Sequence, residues 1–378
     1  MGIVLCGIPK TLQKGQLPLN TVQYKCPYCG GELTFKPEEK KFGCDYCDSF
    51  FTEEEVAKLY EETNKQAEAN ADPDAQTLED ENDDSDFENG TRLYACNSCG
   101  AQIIAEETSA ATFCYYCHNP VVLAGRLTGE YRPNYVIPFG ITREKALEDF
   151  KKWCKKRWFV PSDFKSEQQL EKMSGVYVPF WLTSCDTDAQ FSCIGEKRRR
   201  WTSGNYEITE ISEFAVSRSG HFPFGRVPAD GAKKIDDALM DAIEPYNYKE
   251  IRDFSMQYLS GFLAEKYDVA WDDVVNRAKT RIHDGCKQKL RETVAGYDGI
   301  KAEHMNVSYS NIKKEYALLP VWFMNYHHNG KTYSFAVNAQ TGKLAGTPPL
   351  SMPKLLSFCG GLLVVLAIII TLIGGMLL

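Results

Sequence analysis

Cysteine is the residue whose spacing in this chain could do chemistry. Cys26 and Cys29 form one Cys-x2-Cys pair, and fourteen residues later Cys44 and Cys47 form another. Cys96, Cys99, Cys114 and Cys117 repeat the frame at an offset of seventy, with Tyr24 aligned to Tyr94, Gly30 to Gly100 and Tyr46 to Tyr116. Two sulfurs of one tight turn can face a single ion, and two such turns joined by a hairpin supply four thiolates at tetrahedral angles. The intervening residues suit a hairpin: Gly30-Gly31 opens it, Leu33 and Phe35 alternate, and Phe42 returns. The spacing therefore predicts two four-cysteine zinc ribbons, in preference to disulfides or chance. Four coordinated sulfurs leave no open position for water or substrate, so two structural Zn²⁺ ions are expected and no catalytic one. Each ion replaces an apolar core that so short a segment cannot build.

Other chemistry is hard to find. The chain has no His-Glu-x-x-His, no Gly-x-Gly-x-x-Gly and no phosphate-cradling loop, since Gly342-Lys343 lacks the upstream Gly and the following Ser or Thr. Ser351-Met352-Pro353-Lys354 fits Ser-x-x-Lys only in spacing. No catalytic residue is assigned, and a non-enzymatic protein is expected.

The elements that must position the cysteines fall into an α+β pattern. Residues 1–22 read as a leader, and 23–60 as the first ribbon plus a short helix opened by Thr52-Glu53-Glu54-Glu55. Segment 61–92 reads as an acidic disordered linker, with nine acids and no base across 72–88. The second ribbon occupies 93–125, where Glu106 and Glu107 are the only charged residues and Ile103, Ile104, Phe113, Tyr115 and Tyr116 offer an apolar surface. Residues 126–350 form a mixed α+β domain with antiparallel hairpins. A helix is expected from Thr142 with Ala146, Leu147, Phe150, Trp153 and Cys154 on one face, and others at 235–243, 251–267 and 271–294. Val178-Pro179-Phe180-Trp181-Leu182 and Leu319-Pro320-Val321-Trp322-Phe323 read as two related strand phrases, each leading into a hairpin, with a shared sheet core.

Residues 355–378 contain no charged side chain. As a helix they span about 36 Å, enough to cross a bilayer. Lys343 and Lys354 precede the run and no charge follows, so a C-terminal transmembrane anchor with a cytoplasmic body is expected. A reducing compartment suits the remaining cysteines, Cys6, Cys154, Cys185, Cys193, Cys286 and Cys359, scattered among apolar neighbours as free thiols.

The formal charge of −8 argues against nucleic acid as a partner, because that affinity comes from basic side chains displacing counterions. Lys197-Arg198-Arg199-Arg200 is the compact basic patch, a candidate contact for lipid headgroups or an acidic partner segment. Lys151, Lys152, Lys155, Lys156 and Arg157 make a second basic face, solvated or turned to anionic lipid.

Taken in order, the two Cys frames, the acidic segment, Gly175-Val176-Tyr177-Val178-Pro179-Phe180-Trp181, the stretch Thr332 to Lys343 and the terminal apolar run resemble a bacterial family. It is the YdjG-like group of TFIIB-type zinc-ribbon, C-terminally membrane-anchored proteins, often labelled as similar to the helicase PriA. No motor motif is present to support a helicase. The resemblance implies a bacterial membrane protein near the membrane-stress scaffolds. The expected function is a membrane-tethered adaptor that recruits protein partners, with a nucleic-acid-binding ribbon protein of replication or transcription as the alternative.

Overall fold

Among the described residues, runs of alternating and β-branched residues pair into one large mixed sheet and one small one. The computed structural model describes residues 19–61, 63, 91–96, 102–106, 108–114, 119–123, 131–161, 163–328 and 330–377. The architecture is α+β as the sequence predicts. The leader before Leu19, the acidic stretch 72–88, and Cys99, Tyr115, Tyr116 and Cys117 lie outside the described residues.

The described chain enters at β1 (Leu19–Val22). The small sheet follows, made of β2 (Leu33–Lys36), β3 (Lys41–Cys44) and β4 (Phe50–Phe51), and then α1 (Glu53–Leu59). Leu33 lies opposite Cys44 and Phe35 opposite Phe42, and all four are buried. The Thr52 capping box forms: its N–H donates to Glu55 Oε2 at 2.7 Å, and Glu55 N–H donates to Thr52 Oγ1 at 3.3 Å.

Next come β5 (Thr91–Ala95), β6 (Gln102–Glu106), β7 (Ser109–Phe113), β8 (Pro120–Leu123) and β9 (Tyr135–Val136). β1 lies between β5, to which it is parallel, and β8, to which it is antiparallel. The end of the expected leader is therefore a paired strand. Its partners come from beyond the acidic segment, so no local pattern announces it. Helix α2 (Arg143–Lys155) starts on Thr142 and buries Ala146, Phe150 and Cys154, and the short α3 (Glu167–Leu170) follows.

β10 (Ser174–Ser203) is the long axis of the fold, 30 residues or about 100 Å at ~3.3 Å each. β11 (Tyr206–Asp230) returns antiparallel beside it. After α4 (Asp237–Ile243), β12 (Arg252–Asp253), β13 (Leu263–Glu265) and α5 (Trp271–Glu292), β14 (Gly299–His328) pairs along its other edge. β15 (Lys331–Asn338), β16 (Leu344–Gly346) and α6 (Met352–Leu377) follow. Val274, Ala278, Ile282, Cys286 and Leu290 are the buried face of α5, and the last three pack with Phe191 and Val216 of the long hairpin.

The two Pro-Trp phrases are neighbours in the sheet, Val178 opposite Leu319 and Tyr177 opposite Pro320. Each proline marks a change of partner. β10 pairs with β13 through Tyr177 and with β11 from Phe180, leaving Pro179 between. β14 pairs with β9 through Leu318 and with β15 from Val321, leaving Pro320 between. The carbonyl of Pro179 accepts from Gly231 N–H at 2.9 Å and that of Pro320 from Ala339 N–H at 3.1 Å. A residue without an N–H fits where that side of the ladder is interrupted.

One expected helix is absent. Segment 251–267 contains β12, a 3₁₀ turn over Met256–Leu259 and β13. Its apolar residues are buried from two sides: Tyr258 meets Phe35 and Phe42, while Phe262 stacks on Phe139 at 3.8 Å. Gly261 at φ +89° turns the chain between them.

Candidate metal centre

Two matched turns carry the first four cysteines. In one, Gly30 N–H donates to Cys26 O at 2.9 Å and Cys26 N–H to Gly31 O at 2.6 Å. In the other, Asp48 N–H donates to Cys44 O and Cys44 N–H to Ser49 O, each at 3.0 Å. The fourth residue after the leading Cys takes positive φ in both, Gly30 at +74° and Asp48 at +51°. Gly and Asp tolerate that conformation well. Gly31 is required for a different reason: a Cβ there would stand 2.6 Å from Tyr46 Cδ2 and 3.1 Å from Cys44 Sγ.

The result is a cluster in which the Sγ atoms of Cys26, Cys29, Cys44 and Cys47 all lie within 4.8 Å of one another. Cys26 and Cys47 are 3.6 Å apart, and Cys29 and Cys44 are 3.4 Å apart. Four sulfurs ~2.3 Å from a tetrahedral ion stand ~3.8 Å from each other, so the quartet could hold one metal ion with little adjustment. Hydrogen bonds from Ser49, then the sulfur of Cys29, lower the Cys47 thiol to about 6. The Gly31 N–H lowers Cys29, but the sulfurs of Cys44, Cys47 and Cys26 outweigh it and push that thiol up to about 12. A bound dication would hold every sulfur as thiolate.

The cluster is fastened to the large sheet. Ser260 Oγ donates to Leu33 O at 2.6 Å, and Tyr258 O–H donates to Glu53 Oε2 at 2.6 Å. The core running through Tyr24, Leu33, Phe35 and Phe42 is continuous with Tyr177, Phe262 and Trp322. On the outside, Tyr28, Tyr46 and Phe50 are 76%, 82% and 46% exposed. Sequence reasoning placed the apolar surface on the second frame, where Phe113 is 37% exposed. Tyr28 and Tyr46 each precede the second Cys of a pair, and a turn that points its thiols inward points that residue out.

The second frame repeats what can be compared. Cys96 and Cys114 are buried in one small cluster with Tyr94, Ala105 and Val121. Cys114 N–H donates to Asn119 O at 2.9 Å, the counterpart of Cys44 with Ser49. Tyr94 lies opposite Ile103, Thr112 opposite Val121 and Phe113 opposite Pro120. The first frame has the matching bond from Leu33 N–H to Tyr24 O and the pairings of Phe42 with Phe51 and Gly43 with Phe50. Cys99 and Cys117 fall outside the described residues.

The Lys197–Arg200 patch sits near the tip of the long hairpin, and one of its four cations, Arg198, is closely paired with an acid. Arg198 pairs with Glu196 at 2.9 Å and its backbone N–H donates to Asp298 Oδ2 at 2.7 Å. Arg200 lies 4.0 Å from Glu207. Lys197 lies 5.7 Å from the Phe214 ring and Arg199 5.6 Å from that of Trp201.

At the other end of the chain, α6 is long and apolar enough to cross a membrane, and none of its apolar window within Met352–Thr371 is buried against the body.

The chain is 31% identical over 358 residues to the uncharacterized protein YdjG of Bacillus subtilis (strain 168), in an alignment covering 94% of this chain and 99% of that protein. No protein-family model matches the chain. No solved structure matches it either.

Proposed function

The chain belongs to the family of YdjG, and from that premise we propose that it is a non-enzymatic, membrane-tethered zinc-ribbon adaptor. It recruits a protein partner at the cytoplasmic face of a bacterial membrane, in the setting of a membrane-stress response. α6 spans the bilayer, and the two Cys frames each hold one structural Zn²⁺. The observation that carries the proposal is the set of exposed rings, Tyr28, Tyr46 and Phe50, held on a four-sulfur cluster in a chain with an unburied apolar helix. Aromatic side chains are prominent among the residues that dominate binding energy at protein interfaces, and rigid presentation lowers the entropic cost.

The chain's formal charge of −8 disfavours phosphate backbone as the ligand. The test is affinity capture of the full chain from mild detergent, comparing wild type with the Tyr28→Ser/Tyr46→Ser/Phe50→Ser variant. Loss of specific partners with metal retained is expected. Unchanged partners would contradict it, and retention of nucleic acid at physiological salt would favour the alternative.

A further inference from the structure

The segment just after α2 meets the start of α6. Lys354 Nζ donates to Val160 O, and Ser351 N–H donates to Phe159 O, both at 2.7 Å. Phe358, in the second turn of α6, contacts the Phe159 ring at 5.4 Å and the Trp158 ring at 6.4 Å, both edge to face. Trp158 is nonetheless 73% exposed. Beside it lies a cleft of about 410 Å³ lined by Lys156, Arg157, Trp158, Phe159, Pro348 and Leu350, within the range of small-ligand sites (~300–1,000 Å³).

The charges around this junction are not neutralised. Glu148 and Asp149 are taken by Lys145 and Lys152. Lys151, Lys155 and Lys156 are exposed and make no ion pair among the described residues. Lys354 is the one charged residue in α6. Arg157 is held differently, its guanidinium 3.5 Å from the Trp153 ring centroid. An exposed Trp and unpaired lysines at the level where an apolar helix begins are the features of a bilayer interface.

We propose that this cleft, with the exposed lysines of the end of α2, binds the headgroup of an anionic phospholipid in the leaflet that α6 enters. The inference rests on reading α6 as a membrane span. The headgroup phosphate sits against Lys156, which lines the cleft, with Trp158 at the ester level; Lys151 and Lys155, one turn apart on α2 and exposed, add positive charge to the same surface. Such a contact would hold the body at a set orientation to the bilayer.

The test uses the full chain in mild detergent, titrated with phosphatidylglycerol or phosphatidylcholine and read by native mass spectrometry. Wild type should retain phosphatidylglycerol in preference to phosphatidylcholine. Lys151→Gln/Lys155→Gln/Lys156→Gln should lose about fivefold in affinity per lysine, and Trp158→Ala should weaken both lipids. Equal retention of the two lipids by wild type, or an unchanged triple variant, would overturn the proposal. So would displacement of the lipid by excess inorganic phosphate, which would assign the cleft to a soluble anion. Carbonate washing of membranes reads the premise separately. Wild type and variant should both stay in the pellet, and release of wild type would overturn the span itself, whatever the lipid preference.

Discussion

Replacing Tyr258 should uncouple the metal module from the body it is fastened to. Tyr258 is 3% exposed and touches the module in three ways: edge-to-face with Phe35 at 5.4 Å, tilted against Phe42 at 5.7 Å, and through its hydrogen bond to Glu53. Aromatic pairs contribute about 0.5–1.5 kcal/mol each, and a hydrogen bond to a carboxylate about 1.5–3 kcal/mol. Glu53 is half-buried and regains water when its partner leaves, so the lower figure applies. About 3 kcal/mol therefore crosses the junction through this side chain. At about 2–4 °C per kcal/mol for a body of this size, that is about 6–12 °C of melting temperature. The assay is a cycle of four thermal melts, wild type and Tyr258→Ala, each with and without a strong chelator. If the module supports the body through Tyr258, the chelator costs the variant less than it costs wild type by about that amount. Losses that simply add, to within about 1 °C, would show that the packing carries no coupling and would refute the reasoning.

Gly30→Ala places a Cβ at φ +74° and should cost about 1–2 kcal/mol in the turn that aims Cys26 and Cys29, seen as faster metal loss to a competing chelator. Arg277→Met leaves Asp230, 1% exposed and paired with that guanidinium, as a buried carboxylate without a cation, and should destabilise the body by about 3–5 kcal/mol at neutral pH in denaturant or thermal melts. Burial already pushes the Asp230 carboxyl up to about 6 against the pull of Arg277. A raised folded pKa means the contribution to stability is fully present below about pH 4 and lost as pH rises through about 6. Melting temperature compared across that window should therefore shift less favourably with rising pH in wild type than in Asp230→Asn, the difference between the two profiles isolating this carboxyl from the others that titrate there. Cys96→Ser/Cys114→Ser should remove one metal ion and leave the first site loaded, measured by elemental analysis.

What was legible in the sequence is what is local. A Cys-x2-Cys pair fixes two sulfurs within one turn, so the first frame could be read before any fold was known. α2 and α5 announce themselves through single buried faces, and α2 also through its Thr142 cap. Contacts made across the chain were not legible. β1 owes its existence to β5 and β8, and the first Cys module is seated on Ser260 and Tyr258, more than two hundred residues away. Segment 251–267 misled because burial from two sides mimics helical spacing. The basic patch was legible as a run of four cations, but Glu207 beside Arg200 and Asp298 on the Arg198 N–H come from neighbouring strands and the loop before β14, which no local pattern shows.

Elemental analysis of the intact, detergent-purified chain tests most directly whether the cysteines are a metal-bound scaffold. Two zinc ions per chain are predicted, falling to one when Cys26 and Cys44 are both changed to Ser. A chain that is folded and free of metal, or one whose metal content ignores the loss of those two sulfurs, would contradict it.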